Sequence, residues 1–432
     1  MKSKLKKFSN FSRAINTSSI SMRPDDEWQL EDILITNGSN GILARGNGLS
    51  YSDCCVNDKE TIIDTSRLNH IISFDRKTSI AVCQGAVTFQ DLFLLDSDFI
   101  PPVIPGTLKA TLAGGIANDV HGKNNHQEGS LGDHIIWLEL QISNKSIICS
   151  NSVNKELFKA TIGGLGLTGV IKRIAIKLKK ASPFVLKKSI KFTYIEDLLK
   201  YMQVEGIKED YQVAWLDLLN KTRTILTVAS HIEPKKQNLS IIPKNKFSIP
   251  KFSPRLINKY LMKQFNRAYF HNVKPDEKII SLLDYNNPLD KINNWNYLYG
   301  KNGLLQFQAI FNEDNAIDII SNLLILINKH KAIPTLSVLK YFTKEGLGLL
   351  SFTKKGFTLA IDFINNKEAK SAIIAMNGFI TRSGGSVYLA KDLNLNREQF
   401  IKMYPKHKEF AELLNKYNSP MSSLLGKRLG LL

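Results

Sequence analysis

Three glycine clusters carry the first readable chemistry. Residues 44–53 run A-R-G-N-G-L-S-Y-S-D. Gly46 and Gly48 let the backbone turn tightly and approach a ligand where a Cβ would stand in the way. Arg45, Ser50 and Tyr51 add side-chain donors to the N–H groups bared there, with Asn47 and Leu49 completing the loop. A concave run of N–H groups suits an anion such as a pyrophosphate. Gly-Asn-Gly-x-Ser is also ordinary turn chemistry. The second cluster follows the stiff turn Pro105-Gly106-Thr107 and runs T-L-A-G-G-I-A-N-D-V-H-G-K over residues 111–123. Thr111, Gly114, Gly115, Ala117 and Asn118 suit a helix start held against a flat ligand or a phosphate, or a glycine-rich helix contact in the core. The third, G-G-L-G-L-T-G at residues 163–169, enters an apolar run at Val170 and Ile171. No P-loop lysine follows any of them and no G-x-G-x-x-G opens an early βαβ unit, which disfavours P-loop and Rossmann readings.

The elements that must position these clusters form two patterns. Residues 1–30 read as a polar arm with a turn at Pro24. From residue 33 to 180, short β-like runs alternate with Gly and Pro. Residues 71–74 and 79–82 predict one hairpin, and 135–140 and 146–149 another, turned at Asn144-Lys145. A helix over 87–95 is opened by Thr88, a second spans 154–160, and 170–178 is a strand. Ala181-Ser182-Pro183 marks a boundary. Beyond it, strands at 185–192, 213–218, 222–229, 303–311, 336–342 and 357–363 join helices at 195–202, 315–330 and 367–383. The pattern predicts an antiparallel sheet with helices on one face. Residues 234–254, rich in proline and lysine, read as an exposed, mobile loop. The tail carries helices at 397–403 and 408–417.

Bulk properties narrow the class. A chain of 432 residues with 43% hydrophobic and 22% charged residues is an ordinary globular protein of two or three domains. Its four cysteines form no C-x-x-C pair, so a zinc site, any other metal site or a disulfide framework is not expected, and a reducing compartment fits. The basic start has no apolar stretch behind it to make a secretory signal, and no apolar run is long enough to span a bilayer. The formal charge of +19 is mostly dispersed lysine, densest over residues 180–263. It reads as a solvated basic surface that can also touch an anionic membrane. No zinc-finger spacing or RNA-binding aromatic signature accompanies it, so no nucleic-acid role is expected.

The three clusters in this order, with Pro-Gly-Thr before the second, resemble the FAD-binding module of the vanillyl-alcohol oxidase superfamily. The likeness continues past that module. His121-Gly122-Lys123-Asn124, Trp295-Asn296 with Tyr299-Gly300, Leu305-Gln306-Phe307-Gln308 and residues 388–392 are similar to the decaprenylphosphoryl-ribose oxidase family, from about Phe8 onward. That family forms the flavin-dependent half of an epimerase converting a polyprenyl-phosphoryl ribose to its arabinose epimer. The resemblance implies an α+β protein. A PCMH-type FAD-binding domain of two α+β subdomains would span 1–180. A substrate domain, an antiparallel sheet flanked by helices, would span 181–385, and 386–432 would return to the first domain.

The resemblance also implies the site. Arg45, Gly46, Asn47, Gly48, Leu49, Ser50 and Tyr51, then Pro105, Gly106, Thr107, Thr111, Gly114, Gly115, Ala117, Asn118, His121 and Gly122, would hold the pyrophosphate and the isoalloxazine. Gly166, Gly169, Val170 and Ile171 would close the adenine and ribose side. Covalent superfamily members carry histidine at the position of Leu49, so FAD here would be non-covalent. Lys391 would be the cation beside flavin and substrate and Lys340 a second one, with His121 near the flavin. Tyr299, Gln308, Lys123, Tyr388 and Thr358 would line the sugar site. A lysine at a strand end is also commonly just solvated, and Gln308 can be satisfied within a sheet. Two departures stand out: Ala360 where several members have cysteine, and Thr358 where they have asparagine.

The expected enzyme is an FAD-dependent oxidoreductase acting on the 2-hydroxyl of a lipid-linked sugar phosphate. Its functional partner would be a short-chain NAD(P)H-dependent keto-reductase, and its place the cytoplasm or the periphery of the inner membrane. A soluble aldonolactone or alditol oxidase is the alternative enzyme. Those usually carry His-Trp-x-Lys where this chain has Tyr388-Leu389-Ala390-Lys391. A basic binding protein keeping a vestigial flavin fold is the non-enzyme alternative.

Overall fold

A computed structural model describes residues 3–219, 223–233, 247–251 and 254–432. The first sheet has the order Ser3–Ser9, Asn16–Met22, Thr61–Asp64, Ile42–Arg45. Its first pair is antiparallel and the other two are parallel. The expected polar arm over residues 1–30 is thus corrected: its first two segments are strands, and the helix Gln29–Asn37 begins at its end. The reason is chemical. Along Asn16–Met22 the buried positions are Thr17, Ser19 and Ser21 while Ile20 faces out, so hydropathy alternates the wrong way for a strand signal. Ser19 is satisfied inside by Asn57, its Oγ donating to the Asn57 carbonyl at 3.0 Å.

The second sheet is antiparallel in the order Ile71–Asp75, Ile80–Gln84, Val170–Lys177, Ile135–Ile142, Lys145–Ser150. Both hairpins form. The second turns at Ser143 (φ 49°) and Asn144, one residue earlier than expected. The third glycine cluster feeds the central strand. The helix Phe89–Phe93 starts at Thr88, whose hydroxyl accepts from the Asp91 amide while the Asp91 carboxylate accepts from the Thr88 amide.

The large sheet has eight antiparallel strands in the order Glu277–Ser281, Phe184–Phe192, Arg223–His231, Tyr211–Asp217, Pro334–Phe342, Gly356–Ile364, Leu304–Phe311, Ser386–Val387. Strand side chains alternate between faces. One face carries Leu216, Leu226, Leu339, Leu359, Ile361, Leu305 and Phe307, all buried with the helices Ile195–Val204, Ala316–Lys329 and Lys367–Arg382. The register puts Gln308, Ala360, Val338 and Trp215 in a row on the other face, with Thr358, Lys340, Gln306 and Asp362 beside them. That face is polar and forms one wall of the site.

Helices are not confined to one face, as the sequence implied. Lys259–Asn272 lies on the polar face: Tyr269 meets Trp215 with ring centroids 5.0 Å apart, and Asn266 donates to Asp217 at 2.7 Å. The expected loop over 234–254 falls outside the described residues except at 247–251 and 254. There Phe247–Ser248 pairs in parallel with Ile292–Asn293.

The helix Leu424–Leu429 was not expected either. Its Arg428 grips Asp53 with two hydrogen bonds (2.9 and 2.8 Å) and donates to Asp392 at 2.9 Å, tying the first glycine loop to the segment bearing Lys391. Among the described residues no helix is long and apolar enough to cross a membrane.

Candidate active site

The first loop leaves the sheet at Arg45. Among the described residues nothing accepts a hydrogen bond from the N–H groups of residues 46–50. Gly48 has φ 62°, and a Cβ there would strike the Arg45 guanidinium. Two expected donors are corrected. Arg45 gives its guanidinium to the carbonyls of Cys55 and, at 2.7 Å, Ser9. Ser50 Oγ donates to the Ala390 carbonyl at 2.9 Å, which also accepts from the Tyr51 and Ser52 amides at 3.1 Å. Those side chains brace the loop, and its open donors are backbone. Asn47 Nδ2 donates to the Lys109 carbonyl at 2.7 Å, pinning this loop to the second cluster.

In the second cluster Gly106 faces open space, and the Pro105 carbonyl accepts from Asn287 Nδ2 at 2.8 Å. The Thr107 amide, like that of Gly106, has no acceptor among the described residues. The helix Leu112–Ala117 is capped by Thr111 but does not present free N–H groups, contrary to the expectation of a phosphate site at its start. The Ala113 amide donates to Gly85, Gly114 to Thr111 Oγ1 and Gly115 to the Thr111 carbonyl. Gly115 is a core contact, since a Cβ would meet Phe89 and Leu131 at 2.9 Å. Gly114 is exposed, while Ala117 is buried and Asn118 half-buried. A Cβ on Gly122 would strike Asn124.

The third cluster closes on the second: the Gly163 amide donates to Ile116 at 2.8 Å and the Leu165 amide to Ala117 at 2.7 Å. Gly166 (φ 74°) faces open space. Gly169 (φ 154°) is hemmed in by the Gln141 carbonyl, and Val170 and Ile171 pair with Gln141 and Leu140.

The polar sheet face completes the site. His121 is buried against Phe342 (4.9 Å), Tyr388 (5.2 Å) and Phe352 (5.7 Å). Gln308 Nε2 lies 3.1 Å from His121 Nε2 and donates to Thr358 Oγ1 at 3.2 Å. With the Gln308 amide nitrogen donating, His121 Nε2 accepts and the proton sits on Nδ1, which is buried with no partner among the described residues. Burial, then Lys340 and Lys391, hold the His121 pKa well below the imidazole range.

Three half-buried lysines gather here. Lys391 Nζ lies 3.7 Å over the Tyr51 ring. Burial lowers its pKa, Lys340 adds to that and Asp362 opposes it. Lys340 is lowered by burial to about 8. Lys123 is lowered to about 7 by burial, with Lys340 and Lys187 adding, and its Nζ donates to the Tyr285 carbonyl at 2.5 Å. Tyr299 and Tyr388 line the site as walls, because their hydroxyls are committed to Thr335 (2.7 Å) and to the Asn118 carbonyl (2.8 Å).

Sequence reasoning missed Asp362. Its carboxyl is buried and accepts from Gln306 Nε2, its Oδ2 has no partner, and burial raises its pKa. Period two from Thr358 and Ala360 leads straight to it. It also missed Asp119, buried beneath the second cluster, which accepts from Ser130 (2.9 Å), Ser351 (2.6 Å) and the Gly132 amide (2.9 Å).

Free amides in residues 46–50 and at 106–107, a glycine with open space beside it, and clustered cations fit a dinucleotide with a redox ring. The comparisons agree. A family model described as FAD binding domain matches residues 19–148. The chain is 28% identical over 395 residues, 87% of this chain and 86% of that one, to decaprenylphosphoryl-beta-D-ribose oxidase of Mycolicibacterium smegmatis. An uncharacterized protein of Streptomyces coelicolor is 25% identical over 352 residues, covering 76% of this chain and 95% of that protein. L-gulonolactone oxidase of Scyliorhinus torazame is 27% identical over 134 residues, only 31% of this chain and 30% of that one.

Proposed function

Because the chain is an FAD-dependent oxidoreductase with a PCMH-type FAD-binding fold, similar to decaprenylphosphoryl-ribose oxidase over most of its length, we propose that it oxidises the 2-hydroxyl of a polyprenyl-phosphoryl ribose to the 2-keto sugar. A short-chain NAD(P)H-dependent keto-reductase then completes a 2'-epimerisation to the arabinose form, for use in the cell envelope. The observation that carries this reading is the gathering of Lys340, on the polar sheet face, with Lys391, whose Nζ lies 3.7 Å over the Tyr51 ring beside the open amides, and Lys123. A neutral alditol would have no use for three half-buried cations, whereas a glycosyl phosphate does.

Bound FAD supplies the hydride acceptor. Residues 46–50 and 106–107 would hold its pyrophosphate, and with leucine at position 49, where covalent superfamily members carry histidine, the cofactor would be bound non-covalently. Lys391, held over the Tyr51 ring, would place positive charge beside the flavin ring and the sugar. Lys340 and Lys123 hold the substrate phosphate or a sugar hydroxyl. Gln308, fixed by Thr358, orients the sugar. His121 is a weak base because its pKa lies far below the usual range, so its part is to fix Gln308, and the hydroxyl proton leaves to water.

Anaerobic titration of the purified protein tests this reading. A polyprenyl-phosphoryl ribose is expected to bleach the visible flavin band, and free alditols or aldonolactones are expected to leave it unchanged. Bleaching by alditols alone would establish the alternative oxidase instead.

Ala360 gives a second test. It sits opposite Gln308 in register, where a thiol would face the substrate. The native thiols are poor targets: burial raises Cys55 and pushes Cys54, Cys83 and Cys149 up to about 12. Thiol-capturing inactivators are therefore expected to spare the natural enzyme. Ala360→Cys is expected to become sensitive, with protection by substrate, while retaining turnover within about threefold. Equal sensitivity of both proteins would remove Ala360 from the pocket.

A further inference from the structure

We infer that the helix Lys259–Asn272 docks the enzyme on an anionic lipid bilayer, laying its apolar flank into the headgroup layer beside the substrate face. The inference rests on the lipid-linked substrate proposed above and names the surface that meets the lipid. Tyr260, Leu261 and Phe265 are 70%, 50% and 58% exposed, and Phe265 stacks on Tyr269 at 6.1 Å with rings nearly parallel. At about 100° per residue, Leu261, Phe265 and Tyr269 run down one flank and Lys259, Lys263 and Arg267 down the other. The inner edge, with Asn266 buried, packs on the sheet. From residue 247 to 275 the chain has six Lys and Arg and no Asp or Glu.

An apolar flank beside a basic flank is the composition of a helix lying in a membrane interface. Each cation near an anionic surface strengthens binding about fivefold. Nucleic acid would engage the basic flank but leave Leu261 and Phe265 in water. The position supports the lipid. The row Gln308, Ala360, Val338, Trp215 runs in register from the sugar site to Tyr269 on this helix. A polyprenyl tail leaving the site along that row reaches the apolar flank.

The test is sedimentation of the FAD-loaded enzyme with vesicles of phosphatidylcholine, alone or mixed with phosphatidylglycerol. The natural enzyme is expected to bind the mixed vesicles, less so in high salt. Leu261→Asn with Phe265→Asn is expected to weaken binding about tenfold or more. Lys259→Gln, Lys263→Gln and Arg267→Gln together are expected to lower binding to the anionic vesicles about a hundredfold. Both variants should keep their FAD and should be bleached normally by a short-chain, water-soluble ribosyl phosphate. Absent vesicle binding, or binding untouched by the apolar pair, overturns the inference. So does binding of homopolymeric RNA through the basic flank that vesicles fail to displace. Vesicle binding and flavin bleaching are read separately. An enzyme that binds vesicles through this helix but is not bleached by the lipid-linked sugar supports the docking surface and overturns the proposed substrate.

Discussion

Lys391→Met should slow substrate-driven flavin reduction about 10²–10³-fold while the protein stays yellow. The free backbone amides of residues 46–50 and 106–107, proposed above to hold the cofactor's phosphates, are not touched by the substitution. What disappears is a positive charge held over Tyr51 and favoured by the nearby Asp362 carboxyl, in surroundings whose low dielectric strengthens it. Burial has already drawn the Lys391 pKa below the ordinary lysine value of about 10.4. The protonated form is therefore present at low pH and lost as pH rises through that lowered value. The reduction rate constant of the natural enzyme should fall along the same limb, and Lys391→Arg should flatten it. Anaerobic stopped-flow measurement across pH checks both statements. A methionine variant reduced as fast as its parent would remove Lys391 from the chemistry.

Gly48→Val should purify as a folded but colourless protein. The native φ of 62° is strained for any residue with a Cβ, and worse for a β-branched one. The new side chain would also strike the Arg45 guanidinium, which could move only by breaking its hydrogen bonds to the carbonyls of Ser9 and Cys55. The loop must then open, and its free amides lose the arrangement proposed to hold the pyrophosphate. The strands on either side, paired at Ile42–Arg45 and Thr61–Asp64, keep their register. Flavin content should fall at least about tenfold for the few kcal/mol of strain involved. The ratio of flavin to protein absorbance, with circular dichroism to confirm the fold, is the measurement. A fully yellow valine variant would show that the cofactor does not lean on this loop.

The parts of the site that were legible in the sequence are those where backbone chemistry restricts residue type. Gly48, Gly166 and Gly169 occupy positive φ, and such positions announce themselves. Gly115 shows the limit of that argument, because a close approach to Phe89 and Leu131 demands glycine just as strongly as a ligand would. The first two strands were illegible because hydroxyl side chains fill their buried positions. The helix Lys259–Asn272 was illegible for the converse reason: its apolar residues point outward and leave no inward stripe to detect. Asp362 was within reach by alternation, but a carboxylate in an otherwise apolar strand reads as an edge residue unless the facing lysine is known. Arg428 had no local signal at all, since its partners lie 36 and 375 residues away.

That last contact sets an order of events during synthesis. Asp53 is translated early, yet the clamp joining it to the segment carrying Lys391 is supplied by Arg428, which follows that segment in the sequence. A nascent chain can pair its early strands and hairpins as they emerge. It cannot lock the first glycine loop against that segment until Arg428 has been added, 375 residues after Asp53, so the clamp forms after the strands on either side of the loop can already have paired.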